Sequence, residues 1–390
     1  MLYGNHRDAW IYGSVDPSSG TAVMLELARV MGDMVKSGQW SPRRTIIFCS
    51  WGAEEYGLIG SNEWVEQYVT TLRQRAVAYV NVDIAVMGND TLEASATPLM
   101  HDLIYDAAQK VASPKSEEIQ AGRKTVYDTW LHYTGSVRDG EVVKRPHIGS
   151  LGSGSDYAPL LQKAGITAID ITHVQTINKS GFFYPLYHTE YETFQIVDTQ
   201  IDVGFKVHAA IAKVSGEIVR NLSDSLVLPF RVSSYGRGLE LNRQALNKDY
   251  GQYLNENLSG MYHLLQEVIT NFTTDATDFE LRLRNIDKKN PYVIREVNDQ
   301  MSLLEKAFLV PQGLPTRPEK KHIIFAENSN DAYAGSSFPG LVDLLFEIDK
   351  HPEPKERLEQ VRQHFSTILQ TIQSAGATLR NVSSFMTEHL

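Results

Sequence analysis

One cysteine, Cys49, occurs in 390 residues, so no disulfide can form within the chain. It lies in the apolar run Thr45-Ile46-Ile47-Phe48-Cys49, where a reduced thiol acts as a small core hydrophobe. No apolar run approaches the roughly 18 residues that a membrane-spanning helix needs, and no signal-peptide pattern opens the chain. Positive charge is short: 37 Lys and Arg face 47 Asp and Glu, a formal charge of −10. No basic run stands out, which argues against a nucleic-acid partner. There is no phosphate-loop lysine, which removes support for nucleotide binding. The stretch 149–156 fails the G-x-S-x-G pattern of a serine-hydrolase elbow, so Ser153 and Ser155 are poor nucleophile candidates. No repeat or low-complexity tract is visible.

What is present is an ordinary globular balance, 42% hydrophobic and 22% charged. The length exceeds one domain core, so two domains are expected. The first 220 residues alternate helix and strand patterns. Ser18-Ser19-Gly20 opens a helix with apolar residues at Val23, Leu27, Val30, Met31 and Met34, closed near Gly38. The run 43–51 reads as a strand buried on both faces. Further helices are predicted at 60–68, 155–164 and 198–219, and strands at 76–83 and 166–171. Such alternation implies an α/β fold with a mostly parallel sheet and helices on both faces. Beyond Leu239 strand signals nearly vanish, and helices are predicted at 241–273, 275–288, 291–309, 340–349 and 353–377. The expected domains are 1–230, an α/β unit, and 239–390, all helical.

The acids and histidines fall in a pattern. Glu54-Glu55 follows the strand that ends at Trp51, Asp83 ends the strand 76–83, and His6 and Asp16 flank another strand end. His188 lies in the loop Tyr184-Pro185-Leu186-Tyr187-His188. Ligands gather outside the carboxyl ends of parallel strands. Two histidines and three carboxylates, with one glutamate to spare, match the donors that two zinc ions take. His101, His132, His147 and His173 lack this context.

Five motifs carry a resemblance. They are Gly4-Asn5-His6-Arg7-Asp8-Ala9-Trp10, Gly13-Ser14-Val15-Asp16-Pro17-Ser18-Ser19-Gly20, Ser50-Trp51-Gly52-Ala53-Glu54-Glu55-Tyr56-Gly57, Tyr79-Val80-Asn81-Val82-Asp83 and Tyr184-Pro185-Leu186-Tyr187-His188. In order and spacing they resemble the glutamate carboxypeptidase II (N-acetylated alpha-linked acidic dipeptidase) family, zinc peptidases related to the transferrin receptors. Tyr333-Ala334-Gly335 and Ser337-Phe338-Pro339-Gly340 extend the likeness through nearly the whole chain. The resemblance implies a two-zinc exopeptidase acting on short peptides. His6 and Asp83 would hold one zinc, Glu55 and His188 the other, and Asp16 both. Glu54 would be the base and Tyr187 would face the oxyanion. Asp8 would be the carboxylate that fixes the imidazole of His6. Gly154, Ser155, Asp170, Tyr187 and Tyr333 would meet substrate. Glu63 and Glu66 match ligands of a structural calcium ion. The domain 239–390 would form a homodimer, presenting the stripe Leu254, Leu258, Met261, Leu264, Leu265 and Val268. The Asp16-Pro17 bond is a candidate for the cis form.

The chain departs from its acid-specific relatives. Glu93, Asp170 and Thr172 stand where the resemblance expects arginines, and Ala332 where it expects a lysine. Loss of cations disfavours acidic substrates, and an acidic wall suits an ammonium group, so the expectation is an aminopeptidase or dipeptidase. The alternatives are a glutamate carboxypeptidase and a non-catalytic receptor-like protein. Met1-Leu2-Tyr3 reads as the end of a strand, with His6 at once after it, so more chain is expected upstream, including any membrane anchor. Sequons at Asn89, Asn178, Asn221, Asn257, Asn271 and Asn381 favour a glycoprotein of the secretory route or the outer face of the plasma membrane.

Overall fold

A computed structural model describes residues 1–135, 137–138, 141–142, 145–176, 184–329 and 331–381. The main sheet contains β1 (Leu2–His6), β2 (Ile47–Trp51), β3 (Ala78–Asn81), β4 (Thr91–Ala96) and β7 (Thr167–Val174). A separate ribbon pairs β5 (Val137–Arg138) with β6 (Glu141–Val142). The main sheet runs in the order β2-β1-β3-β7-β4. All its pairs are parallel except β4 on β7. Parallel strands are covered on both faces, and β1 and β3 are buried along their whole length.

The helices between them are α1 (Ser18–Lys36), α2 (Ile59–Arg75), α3 (His101–Lys110), α4 (Ser116–Gln120), α5 (Val126–Thr134), α6 (Tyr157–Ala164), α7 (Phe194–Ile196) and α8 (Lys206–Asp224). Helix α1 buries Val23, Leu27 and Met31 of the expected stripe together with Met24, while Val30 is 38% exposed and Met34 only half-buried. Helices α1 and α3 pack on α8, while α2 packs on α6.

The second region is built on α9 (Ser233–Arg284), 52 residues long and kinked at Leu258, where φ is −141°. It packs against α12 (Pro354–Ala377), with α10 (Pro291–Leu304) and α11 (Pro339–Leu345) beside it. Tyr235 stacks on Phe308 at 4.6 Å, with Phe272 against both. One cluster of buried apolar residues continues through both regions.

Several expectations need correction. The run 43–51 is not a doubly covered strand: β2 is the edge of the sheet, and Ile47 is 45% exposed. The helix expected at 198–219 begins at Lys206, after an irregular turn at Val197–Ile201. The break expected near residue 274 is absent, since α9 runs through it. Strand structure does not vanish after Leu239: β8 (Phe325–Asn328) and β9 (Asp331–Ser337) form a hairpin. Most of the apolar stripe assigned to dimerisation is core. Leu254, Leu258 and Leu265 are buried, Met261 and Val268 pack partly against them, and Leu264 is the exposed member at 47%.

Candidate metal centre

The carboxyl ends of β1, β2 and β3 bring the expected ligands together. His6 is the last residue of β1, Glu54-Glu55 follows β2, and Asp83 follows β3. His6 Nε2 lies 2.7 Å from Asp83 Oδ1 and 3.2 Å from Asp16 Oδ1. His188 Nε2 lies 3.0 Å from Asp16 Oδ2 and 3.1 Å from Glu55 Oε2. Two groups of lone-pair donors result, His6-Asp16-Asp83 and Asp16-Glu55-His188, and Asp16 belongs to both. Glu54 belongs to neither, with Oε2 3.8 Å from His6 Nε2.

The backbone is shaped to hold this arrangement. The Asp16–Pro17 peptide is cis. A Cβ on Gly20 would stand 2.1 Å from the carbonyl oxygen of Asp83, so only glycine lets α1 start this close to the Asp83 backbone. Asn5 donates from Nδ2 to the carbonyls of Val82 and Asp83, both at 3.0 Å. Glu192 Oε1 accepts from the backbone N–H of Val15 and Asp16. Neither Asn5 nor Glu192 was singled out from the sequence; Glu192 sits in a loop with no patterning to mark it.

Asp8 requires a correction. His6 Nδ1 meets the backbone carbonyl of Asp8 at 2.9 Å, while the Asp8 carboxylate stands further off, with Oδ1 at 3.7 Å. The Asp8 carboxylate instead accepts from the backbone N–H of Glu54 and Glu55, at 3.1 and 3.2 Å. It ties the glutamate pair to β1. Ser155 also differs from expectation. It is 2% exposed and its hydroxyl donates to Asp83 Oδ2 at 2.5 Å, so it faces a ligand rather than substrate.

The electrostatics show crowded negative charge. Burial would lower the pKa of His6, but hydrogen bonds to Asp16 and Asp83 outweigh it and push it up to about 12. Burial, then the nearby Asp83, pushes Glu54 up to about 9. Burial and the charge of Asp16 raise Glu55 to about 7, and burial raises Asp83. Burial and crowding disfavour the charged form of these acids, and a divalent ion reverses that preference. Asp16 Oδ1 is buried with only the His6 ring nitrogen beside it, at 3.2 Å, and a cation would satisfy it. Imidazole and carboxylate donors in this number fit zinc.

A cavity of about 420 Å³ opens beside the centre, lined by Asp16, Glu54, Asp83, Asp170, Tyr187 and Tyr333 among others. Tyr187 stacks on His188 with centroids 3.7 Å apart, and its hydroxyl lies 3.3 Å from that of Tyr333. Tyr333 belongs to the β8–β9 hairpin, so the second region completes the cavity wall. Gly154 makes room for it: a Cβ there would stand 2.8 Å from the Tyr333 ring. Gly154→Ala is therefore expected to displace Tyr333 and raise KM several-fold with metal content unchanged. Parallel Michaelis kinetics and metal analysis check this.

Glu93, Ser95, Asp170 and Thr172 sit on neighbouring strands, with Glu93 opposite Thr172 and Ser95 opposite Asp170. Burial, then Asp170, pushes Glu93 up to about 8. Burial and Asp83 push Asp170 to about 7. Among the described residues no ion pair includes either acid; the side chain of Ala332 lies outside those described.

The pair Glu63 and Glu66 stays apart from the centre. Both are exposed on α2, Glu66 pairs with Lys163, and neither joins a ligand group among the described residues. Burial pushes His101 and His173 down to about 4; His173 lies in the core and His101 is half-buried. Cys49 is buried, and burial pushes its thiol up to about 12.

Residues 1–211 match the model of peptidase family M28. The chain belongs to peptidase family M28. In this M28 chain residues 261–380 also match the transferrin receptor-like dimerisation domain. The chain is 39% identical over 384 residues to "Aminopeptidase NAALADL1" of Mus musculus, covering 97% of this chain and 50% of that protein. It is 38% identical to "Probable glutamate carboxypeptidase LAMP1" of Arabidopsis thaliana, over 97% of this chain and 51% of the relative. It is 32% identical to a "Glutamate carboxypeptidase 2 homolog" of Caenorhabditis elegans, over 98% and 50%. The M28 chain thus spans about half the length of the curated relatives it matches.

Proposed function

We propose that the full-length protein is a two-zinc exopeptidase that removes residues from the free amino end of short peptides. The observation that carries this reading is the pair of ligand groups joined at Asp16, with Glu54 left free beside them on the cavity. His6, Asp16 and Asp83 would hold one ion, and Asp16, Glu55 and His188 the other. When bound, two such ions acidify water and polarise a carbonyl. Glu54 takes the proton of the attacking water and passes it to the departing amine. Tyr187 offers its hydroxyl to the oxyanion that develops on the carbonyl. Asp8 holds the Glu54 and Glu55 backbone in place, so the base need not be reordered at each turnover. Tyr333 and Gly154 bound the substrate space.

Asp170, which lines the cavity, supports an ammonium-bearing substrate, because an approaching cation favours its carboxylate over the protonated form that burial promotes. Glu93 and Asp170 have no basic partner among the described residues, and Glu93 Oε2 and Thr172 Oγ1 are buried without hydrogen-bond partners. An acidic substrate would gain no charge-assisted contact there, each worth about 1.5–3 kcal/mol. The expected result is a kcat/KM for a free-amine dipeptide roughly 100-fold or more above that for an N-acetylated Asp-Glu substrate, from two such contacts. Equal or better turnover of the acidic substrate would favour the glutamate carboxypeptidase reading instead. The names of the relatives include both activities.

A homodimer through the transferrin receptor-like domain is part of the same proposal, with a two-fold interface as the usual arrangement. So is a calcium ion at Glu63 and Glu66, which needs further ligands from elsewhere. A route through the secretory pathway, with any membrane anchor upstream, fits the exposed sequon residues Asn257, Asn271 and Asn381. Asn89, Asn221 and Asn257 donate their amides to the carbonyls of Ile201, Glu217 and Tyr253, and Asn178 lies outside the described residues.

A further inference from the structure

Behind the metal centre lies a buried chain of hydrogen bonds that the reaction itself does not use. Trp51 Nε1 donates to the Tyr79 hydroxyl at 3.0 Å, and Tyr79 donates to Asn81 Oδ1 at 2.8 Å. Asn81 Nδ2 then donates twice, to Ser155 Oγ and to Asp170 Oδ1, both at 2.9 Å. Ser155 in turn donates to Asp83 Oδ2. Tyr79 and Asn81 are fully buried, and Trp51 and Ser155 are 7% and 2% exposed.

The direction of every bond follows from the residue types. Indole N–H can only donate, so the Tyr79 oxygen accepts from it and its own proton goes to Asn81. That fixes the Asn81 carbonyl toward Tyr79 and its NH₂ toward Ser155 and Asp170. Ser155, having accepted, directs its proton to Asp83. Asp83 Oδ2 is thereby occupied, and Oδ1, 2.7 Å from His6 Nε2, is the oxygen presented to the ligand group. The fork exists because β3 and β7 are in register: Asn81 pairs with Asp170 across the parallel ladder. The loop before α6 brings Ser155 to the same point.

We infer that Asn81 is a positioning residue with two arms, one setting Asp83 for metal through Ser155 and one setting Asp170 for the substrate's ammonium group. The inference rests on the peptidase reading above. Outer partners of metal ligands are commonly worth 10–100-fold in metal affinity. A single amide that serves both arms ties metal affinity to substrate preference.

The test uses full-length protein and three variants. Zinc alone is the probe for one arm, its affinity measured by competition with a chelating dye. The kcat/KM ratio of a free-amine dipeptide to its N-acetylated form reads the other. Ser155→Ala is expected to weaken zinc binding by about 10–100-fold and leave the ratio unchanged. Asp170→Asn keeps an acceptor for Asn81, so zinc affinity is expected to hold while the ratio falls. Asn81→Ala is expected to move both. If that variant fails to fold, Asn81→Leu fills the volume while removing the same donors. Wild-type zinc affinity in Ser155→Ala, or an Asn81 variant that moves one readout alone, overturns the two-armed role. A wild-type protein that binds no zinc overturns the peptidase reading instead, so the two failures are distinguishable.

Discussion

Glu54→Gln is expected to lower kcat by roughly 100- to 10,000-fold while both metal ions stay bound, the usual range for loss of a general base. Glutamine keeps the size of the side chain and its place on the cavity, but its amide cannot accept a proton. Glu54 stands outside both ligand groups, so its replacement removes no metal donor. Its backbone N–H remains tied to Asp8, so the neighbouring Glu55 keeps its position. The check is single-turnover kinetics beside metal analysis of the same sample. Substantial activity in a fully loaded variant would assign the proton transfer to another group.

Asp16→Ala is expected to have the opposite signature, with metal lost along with activity. One Asp16 oxygen faces His6 and the other His188, so its removal takes a donor from each group at once. Two cations held close together would also lose the anion between them. Turnover should fall by at least about 1,000-fold, since an ion contributes several kcal/mol to the transition state. Addition of excess zinc should restore little, because no other carboxylate among the described residues belongs to both groups. Two tightly held ions in this variant would remove Asp16 from its shared place.

The clustering of the candidate ligands is legible in the sequence for a topological reason. Parallel strands end on one side of a sheet, so acids and histidines that follow apolar runs converge without any knowledge of loops. His6, Glu54, Glu55 and Asp83 all follow this rule. Asp16 and His188 are held by contacts distant in sequence, so strand ends say less about them and the motif resemblance adds most there. Side-chain direction was less accessible. Ser155 was read toward substrate, yet the turn before α6 points it at Asp83. The Asp8 carboxylate is expected toward His6; it stands 3.7 Å from Nδ1, and its hydrogen bonds go to two backbone donors after β2. A signal for the buried network was present: Asn81 is a polar residue within an otherwise apolar strand end, and such a group must find partners when buried.

The helical region shows a different limit. The apolar stripe of α9 is real, but period alone does not say what covers it. Here α12 does, leaving Leu264 exposed. The β8–β9 hairpin escaped notice because Ala334, Gly335, Ser336 and Ser337 carry little strand preference. Its pairing comes from tertiary placement, and through it Tyr333 reaches the cavity.

Calorimetric zinc titration of the chelator-stripped, full-length protein tests the central claim most directly. The expected result is two ions per chain, reduced to at most one in Asp16→Ala. A wild-type protein that binds no zinc, or an Asp16→Ala variant that still binds two ions, would contradict it.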